Sequence, residues 1–454
     1  MLTRIEIDGF KTFEKFGLDL GPLQVILGPN ASGKSNLFDA IRLLSLIAQT
    51  DLRTALQELR GEPVELFRFH KSGKRSSRMS FAVELLLGPS VSDSWGDTVK
   101  ISHSRVRYEV EIELHQVSPG LERLVVVREA ASPILTENDL WSALQDLSPQ
   151  FRQAFLKYGH SSPWLTTVEA DGKRRFQILA DGQVIRTHSA TSAKATVLSS
   201  ITSAEFPHLY AIHEEMRSWR FLQLDPTQLR RPSPTTAALV LEPDGANLAT
   251  VLARIQAQTA TENQPKGAIA DIAADLTALI PGVVDLNISF DTKNKEYQIE
   301  IGMRDGMTFS SRVVSDGTLR VLALLTLLCD PQHRGLICFE EPENGIHPER
   351  LKTLIQRLRE GVTDPTSESV DENEPLSQML LNSHSPVVLS SLEEGEAMFA
   401  DIVSAVNPEA GTVTRKTRVR HVGIQQRQST VDSMPEYLSR FEVERYLHSA
   451  DRES

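Results

Sequence analysis

Eight consecutive residues, Gly28-Pro29-Asn30-Ala31-Ser32-Gly33-Lys34-Ser35, constrain this chain more than any other stretch. They fit G-x-x-x-x-G-K-[ST], a loop whose backbone N–H groups converge on a phosphate. Gly28 and Gly33 permit the tight turn, and Lys34 supplies a point charge for the β- and γ-phosphates. The Ser35 hydroxyl can enter a Mg²⁺ shell. Leu23-Gln24-Val25-Ile26-Leu27 reads as a short buried strand leading in, and Asn36–Leu44 carries apolar residues at helical spacing leading out. Strand, loop and helix in that order put bound phosphates at a helix N-terminus, where the dipole favours anions. Residues Gly28 through Asn36 are therefore the expected nucleotide contacts.

The surrounding chain has 454 residues, enough for two or three domains around a large core. Its two cysteines, Cys329 and Cys338, exclude a disulfide framework and a cysteine zinc site, and they suit a reducing, cytoplasmic setting. Arg4, Glu6 and Asp8 interrupt any signal-like N-terminus, and the longest apolar run, Val321 to Cys329, is too short to span a bilayer. A soluble chain with no membrane partner is expected. The net charge of −12 disfavours a wholly basic nucleic-acid binder while leaving room for a local basic groove.

Along the chain, alternating Ile5, Ile7 and Phe10 predict strands before the loop, and a helix is expected from about 36 to 59. Lys71, Lys74, Arg75 and Arg78 form a basic cluster, either a phosphate-backbone contact or a solvated hairpin tip. Strands are predicted at Met79–Leu87, Val106–Leu114 and Leu121–Arg128. Between about 130 and 231 the pattern changes. A helix is expected at Glu137–Tyr158, a hairpin around Asp181-Gly182, and a second helix at Ala204–Trp219. Arg230-Arg231-Pro232-Ser233-Pro234 reads as a linker. Helices at Asn247–Gln258 and Ile269–Leu279 precede strands at Val283–Phe290, Tyr297–Ile301 and Thr308–Val313. Residues 361–375 read as a mobile acidic loop.

Three further stretches carry chemistry. Leu336-Ile337-Cys338-Phe339 is apolar throughout, as in a strand buried on both faces, and it ends in Glu340-Glu341-Pro342-Glu343. Carboxylates at the end of such a strand are costly unless a cation or a reacting water uses them. Neighbouring strand residues point to opposite sides, which sends one of Glu340 and Glu341 toward Mg²⁺ beside Ser35 and the other toward the attacking water. Ser315-Asp316-Gly317-Thr318 opens a strongly apolar helix, with Ser315 a good N-cap and Gly317 allowing close backbone approach. Asn382-Ser383-His384-Ser385-Pro386 places a histidine at the end of another strand.

This ordered set resembles the ABC-type ATPases. More closely it resembles their SMC/RecF-like branch, including soluble ATPases related to the OLD family and to ATPase subunits of bacterial antiphage systems. Gly9-Phe10-Lys11-Thr12-Phe13 also resembles the start of SMC heads. The resemblance covers about 1–128 and 236–400. It implies an α/β fold: a two-lobed P-loop NTPase with a mixed sheet core, an antiparallel β subdomain and a mainly helical insertion. The lobes would be 1–128 and 236–420, with the insertion at 129–235 and a tail at 421–454. It implies ATP and Mg²⁺ as ligands, and hydrolysis of ATP. Lys34 and the loop would hold phosphates, Ser35 and Glu340 the metal, Glu341 would be the catalytic glutamate and His384 the switch histidine. Ser315, Asp316 and Gly317 match the signature that binds the γ-phosphate of an opposite subunit, and Asn344-Gly345-Ile346-His347-Pro348 matches the D-loop. That implies a homodimer or higher homo-oligomer through shared ATP sites.

The sequence departs from the family pattern at three points. Glu340 stands where most members have Asp, Asp316 and Thr318 stand in the signature, and no glutamine fits the Q-loop, Gln57 least badly. The length between Ser35 and Ser315 disfavours a transporter subunit, and the 70 residues after His384 disfavour a complete OLD-type nuclease with a TOPRIM domain. Two functions remain open: an ATP-gated scaffold for an effector protein, a nuclease or toxin encoded nearby in antiphage defence, or an ATPase acting directly on DNA in repair or chromosome maintenance.

Overall fold

Strand-forming segments dominate the first 190 residues, and eight of them assemble into one antiparallel sheet. The computed structural model describes all residues except 71–74, 94, 119–120, 408–411, 424–437 and 451–454. Its eight-stranded sheet runs Gln183–Ser189, Lys173–Ala180, Leu165–Ala170, Leu121–Pro133, Arg105–Ser118, Arg78–Leu86, Leu2–Asp8, Phe16–Asp19 in spatial order. A second sheet of six strands runs Arg220–Leu222, Gly335–Glu340, Ser377–Ser383, Leu23–Leu27, Ala397–Asn407, Thr412–His421. All its neighbours are parallel except the last pair. Parallel strands need both faces covered, and the side chains divide accordingly. Ile26, Leu336, Cys338, Leu380 and Met398 enter a core shared with the antiparallel sheet and the helix Lys34–Ile47. Val25, Leu27, Ile337, Phe339, Met379 and Leu381 enter a second core with helices Leu248–Thr259, Ala268–Leu279, Asp316–Leu328 and Pro348–Glu360. The result is an α/β architecture with a separate core on each face of the six-stranded sheet. Among the described residues no helix is long and apolar enough to cross a membrane.

Several elements differ from the sequence expectations for local reasons. The helix expected to run to 59 stops at Ile47, because Asp51 N-caps a separate helix, Leu52–Gln57, by accepting from the Arg53 and Thr54 N–H groups. The helix expected at 137–158 splits into Leu140–Leu144 and Pro149–Phe155, with Ser148 capping the second and Pro149 in its first turn. The hairpin around Asp181-Gly182 is present, both turn residues lying at positive φ (48° and 77°). A third strand, Leu165–Ala170, joins it and links all three to Ala131 in the large sheet.

The expected linker is tied in. Ser233 is buried, its Oγ accepts from Thr250 N–H at 2.8 Å, and it pairs with Tyr297. The acidic loop is also docked: Ser148 N–H donates to the Pro365 carbonyl at 2.9 Å and Ser148 Oγ to the Ser367 carbonyl at 2.6 Å. In the tail, the helix Arg440–Ala450 buries Val443 and Leu447 in the second core. Of the basic cluster, Lys71 and Lys74 lie outside the described residues. Arg75 rests over the Phe69 ring, and Arg78 pairs with Glu111 and Glu113.

Candidate functional site

The phosphate-binding loop leaves the entry strand Leu23–Leu27 and is clamped by the paired strands Ala397–Asn407 and Thr412–His421. Gly28 has φ 153°, and a Cβ there would stand 2.3 Å from the Ala400 carbonyl oxygen. Gly33 has φ 97°, and a Cβ there would meet Thr417 Oγ1 at 2.0 Å. Only glycine fits either position, for conformation and for space. Ala31 adds a third left-handed residue at φ 61°. The helix Lys34–Ile47 begins directly after Gly33 with no side-chain cap, so its first N–H groups face the loop's interior unassisted.

Side chains around the loop fall into two groups. Asn36 Nδ2 donates to Thr12 Oγ1 at 3.0 Å, Thr12 Oγ1 lies 2.7 Å from Thr417 Oγ1, and Thr417 Oγ1 donates to the Ser32 carbonyl at 3.2 Å. This chain fixes the loop from behind, and it leaves the Asn36 backbone rather than its side chain to meet a phosphate. Lys11 braces the same helix through Asp39, Nζ to Oδ2 2.6 Å. In contrast, Ser32 Oγ is buried with no hydrogen-bond partner, and the Ser35 hydroxyl has none among the described residues. Lys34 Nζ donates to the carbonyls of Gly28 (2.6 Å) and Pro29 (2.9 Å). Burial lowers the Lys34 ammonium to about 8, against the pull of Glu341, Glu340 and Glu343, which ties the loop electrostatically to the acids.

Register brings those acids to the loop. Glu340 pairs with Asn382, and Asn382 with Ile26, so three strands end together at the carboxyl edge of the sheet. Asn382 organises the corner: its Nδ2 donates to Glu340 Oε1 at 3.3 Å, and its main-chain carbonyl accepts from Glu341 N–H at 3.0 Å. The strand ends at Glu340. Glu341 lies at φ 52°, off the strand, so a left-handed turn and not strand alternation separates the two carboxylates. Glu341 Oε1 sits 3.3 Å from His384 Nδ1, and its Oε2 accepts from Asn344 Nδ2 at 2.7 Å. Glu343 bonds Ser383 Oγ, and burial raises its carboxyl above the ordinary range while its Oε2 has no partner.

One contributor escaped the sequence reading. The strand Arg220–Leu222 pairs parallel with the acid strand, Leu222 opposite Phe339, so the next residue, Gln223, emerges beside Glu340. Gln223, Glu340, Asp39 and Arg60 line one small cavity there. Gln57, the sequence candidate, ends the short helix Leu52–Gln57 and does not line this cavity. The signal for Gln223 is strand order, which a three-residue strand does not announce.

Ser315–Gly317 stand elsewhere. Ser315 caps the helix Asp316–Leu328, its Oγ accepting from Thr318 N–H at 3.2 Å. Gly317 packs on Gly345, and a Cβ on Gly317 would meet the Gly345 carbonyl oxygen at 2.3 Å. Asp316 pairs with Arg230. Among the described residues none of Ser315, Asp316 and Gly317 bonds to the phosphate loop. Within one copy the structure thus gathers loop, acids, Gln223 and His384, and it holds the signature helix apart behind the Glu343–Gly345 turn.

The oxygen donors fit a hard divalent cation. Ser35 hydroxyl, Glu340 carboxylate and Gln223 amide are the kinds of ligand Mg²⁺ takes. Among the described residues no group of three or more His, Cys, Asp or Glu side chains could hold a metal by itself.

Comparison with known proteins identifies a family. Residues 23–390 match the family described as "AAA domain, putative AbiEii toxin, Type IV TA system". The chromosome partition protein Smc of Bordetella petrii is 32% identical over 108 residues, which are 23% of this chain and 9% of Smc. The chain thus spans a small fraction of that relative. Among solved structures, the Smc head bound to the C-winged helix domain of ScpA is similar at TM-score 0.49 and 12% identity, over 92% of this chain and 98% of that one. The Smc head with an extended coiled coil bound to the C-terminal domain of ScpA, from Pyrococcus furiosus, is similar at TM-score 0.48 and 12% identity, over 92% and 96%.

Proposed function

We propose, from the premise that the chain belongs to the AbiEii-like AAA-domain family and is an SMC-like P-loop ATPase, that two copies close on shared ATP, hydrolyse it, and thereby gate a partner effector protein. The observation that carries the reading is the division of parts: Lys34, Glu340, Glu341 and His384 lie together in one copy, while among the described residues Ser315 and Gly317 make no bond to the phosphate loop and pack on Thr318 and Gly345. A second copy would supply the missing signature helix. We assign the cycle to lobes 1–128 and 236–420, in the cytoplasm.

In this scheme Lys34 exchanges the Gly28 and Pro29 carbonyls for phosphate oxygens. Loop N–H groups and the start of the helix Lys34–Ile47 hold the β-phosphate. Ser35 and Glu340, with Gln223, would hold Mg²⁺, which supplies charge neutralisation on the triphosphate when bound. Glu341 accepts the proton of the attacking water. His384 and Asn344, one on each carboxylate oxygen, fix its direction. The partner's Ser315 helix presents its N-terminus to the γ-phosphate and is released when that phosphate leaves.

The family description names a putative toxin of a Type IV TA system, which supports a toxin as the effector; we place the pair in antiphage defence, with a nuclease as the other candidate. The stretch shared with Smc supports a second reading, an ATPase acting directly on DNA. Strongly salt-dependent binding to plain duplex DNA would favour that alternative.

The test is molar mass by light scattering, with and without Mg²⁺-ATP, for wild type, Ser315→Arg and Ser315→Asp. Wild type should double in mass. Ser315→Asp keeps the helix cap, since aspartate caps as well as serine. It nevertheless places a negative charge toward the γ-phosphate, so both variants should stay monomeric while still binding nucleotide. Variants that dimerise normally, or a wild type whose mass ignores ATP, would remove the shared-site reading.

A further inference from the structure

The six-stranded sheet has a second charged end. At the edge opposite the acids, a cavity of about 600 Å³ opens between the start of the strand Arg220–Leu222 and the turn before Gly335. Arg217, Arg220, Arg334 and His333 line it, together with Glu214 and Asp330. Asp330 is neutralised, receiving Arg254 Nη1 at 2.9 Å and Nη2 at 2.5 Å and the Gln332 N–H at 2.9 Å. Glu214 Oε2 is shared by two guanidiniums, Arg217 at 2.7 Å and Arg334 at 3.5 Å. Arg220 is half-buried and has no hydrogen-bond or ion-pair partner among the described residues. His333 Nε2 is buried and likewise unpartnered.

With Asp330 matched by Arg254, Glu214 alone faces Arg217, Arg220 and Arg334, which leaves the cavity with an excess of positive charge. Burial, and then the neighbouring Arg217 and Arg334, lower the Arg220 pKa, as expected of a cation crowded by like charge. Asp330 offsets this only in part, since it is already engaged by Arg254, and a partly desolvated guanidinium with no direct partner favours an added anion.

We propose that this cavity is a binding site for a small phosphate-bearing organic anion, distinct from the phosphate loop. Arginine forks match phosphate oxygens bidentately, and several forks around one volume select multiple negative charge over a single carboxylate. The volume is that of a small-molecule site and exceeds what one inorganic ion fills. An anion here would take Arg220 as its central contact, Arg334 at the rim, and a hydrogen bond from His333 Nε2–H. The site shares its strands with the catalytic corner. Arg220 begins the strand that delivers Gln223, and Arg334 precedes the strand that ends in Glu340, five residues beyond Gly335 and about 17 Å along an extended chain.

Inorganic pyrophosphate is the probe, titrated calorimetrically into Lys34→Ala protein so that the phosphate loop does not compete. Saturable binding is expected. Arg220→Gln and Arg334→Gln, each in that background, should weaken it by roughly tenfold or more, the loss of one charge-assisted pair. Arg334 is half exposed, so its replacement leaves the fold intact even if Arg220→Gln does not. Absence of binding in the Lys34→Ala protein, or affinity unchanged in Arg334→Gln, would overturn the proposal. Neither result depends on ATP turnover, so the proposed hydrolytic function stands or falls separately.

Discussion

Glu341→Gln isolates the proton acceptor from everything else the corner does. The amide keeps the side chain's length, and its oxygen can still receive Asn344 Nδ2, now 2.7 Å from Glu341 Oε2. Its NH₂ then faces His384 Nδ1, an acceptor when the imidazole carries its proton on Nε2. The left-handed backbone at φ 52° costs the same for either residue. The local structure should therefore survive, and the change falls on proton transfer, worth about 10²–10⁴-fold or roughly 2.7–5.4 kcal/mol of barrier. One side effect needs control. Glu341 is the foremost charge holding the Lys34 ammonium up against burial, which already brings it to about 8. Removing that charge lets Lys34 fall further, so the assay is run at saturating nucleotide, whose phosphates hold Lys34 charged. The measurement is Mg²⁺-ATP hydrolysis beside nucleotide affinity and molar mass, for Glu341→Gln and Glu340→Gln. Glu341→Gln should bind nucleotide, hydrolyse it at least ~10²-fold more slowly and accumulate as a long-lived dimer. Glu340→Gln should weaken Mg²⁺-dependent binding itself. If Glu340→Gln traps the dimer and Glu341→Gln only weakens binding, the two roles are reversed. If neither slows turnover, the acidic pair is not the catalytic site.

Two further outcomes follow from the same geometry. Because Lys34 titrates near 8 in the free protein and a phosphate would hold it charged, nucleotide binding at pH 8 should take up about half a proton, and affinity should fall as pH rises beyond that. Calorimetry in two buffers of different ionisation enthalpy measures the uptake; uptake that persists in Lys34→Arg, which stays charged, would assign the proton to another group. Gly345→Ala should destabilise the protein by about 2–5 kcal/mol, since a side chain is disfavoured at positive φ and overpacking adds to it. Its Cβ would stand 2.3 Å from Gly317 Cα, backbone against backbone. An unchanged melting temperature would show that the signature helix and this turn are not rigidly packed.

What the sequence disclosed divides along a physical line. The phosphate loop was legible because its chemistry is contiguous: two glycines, a lysine and a serine act within one turn, and the strand and helix on either side carry their own periodicity. The acid strand was legible because burial on both faces removes polar residues until the carboxyl edge. Glu341 was only half legible. Its identity was plain, but alternation assumed a strand that ends one residue earlier, and the left-handed turn depends on Asn382 from a neighbouring strand. The break at Asp51 turned on a cap inside an otherwise helical apolar pattern, and the docking of 361–375 on Ser148 on a partner distant in sequence.

Gln223 makes the same division sharper. Nothing within ten residues distinguishes it from the glutamines at 177, 183 or 228. It becomes a site residue only because Arg220–Leu222 is the neighbour of Gly335–Glu340 and because that pairing is parallel, with Leu222 level with Phe339. Shift the register by one residue and the amide would turn to the other face of the sheet, away from Glu340. What holds the register lies off the site: Leu222 enters the second core with Ile337 and Phe339, while the Gln223 N–H is fixed to the Pro243 carbonyl at 2.9 Å. Position at this corner is therefore specified by packing remote from the chemistry, and the same strands carry Arg220 and Arg334 at their other ends. Two charged sites on one pair of strands cannot be positioned independently, since any slip that repairs one displaces the other.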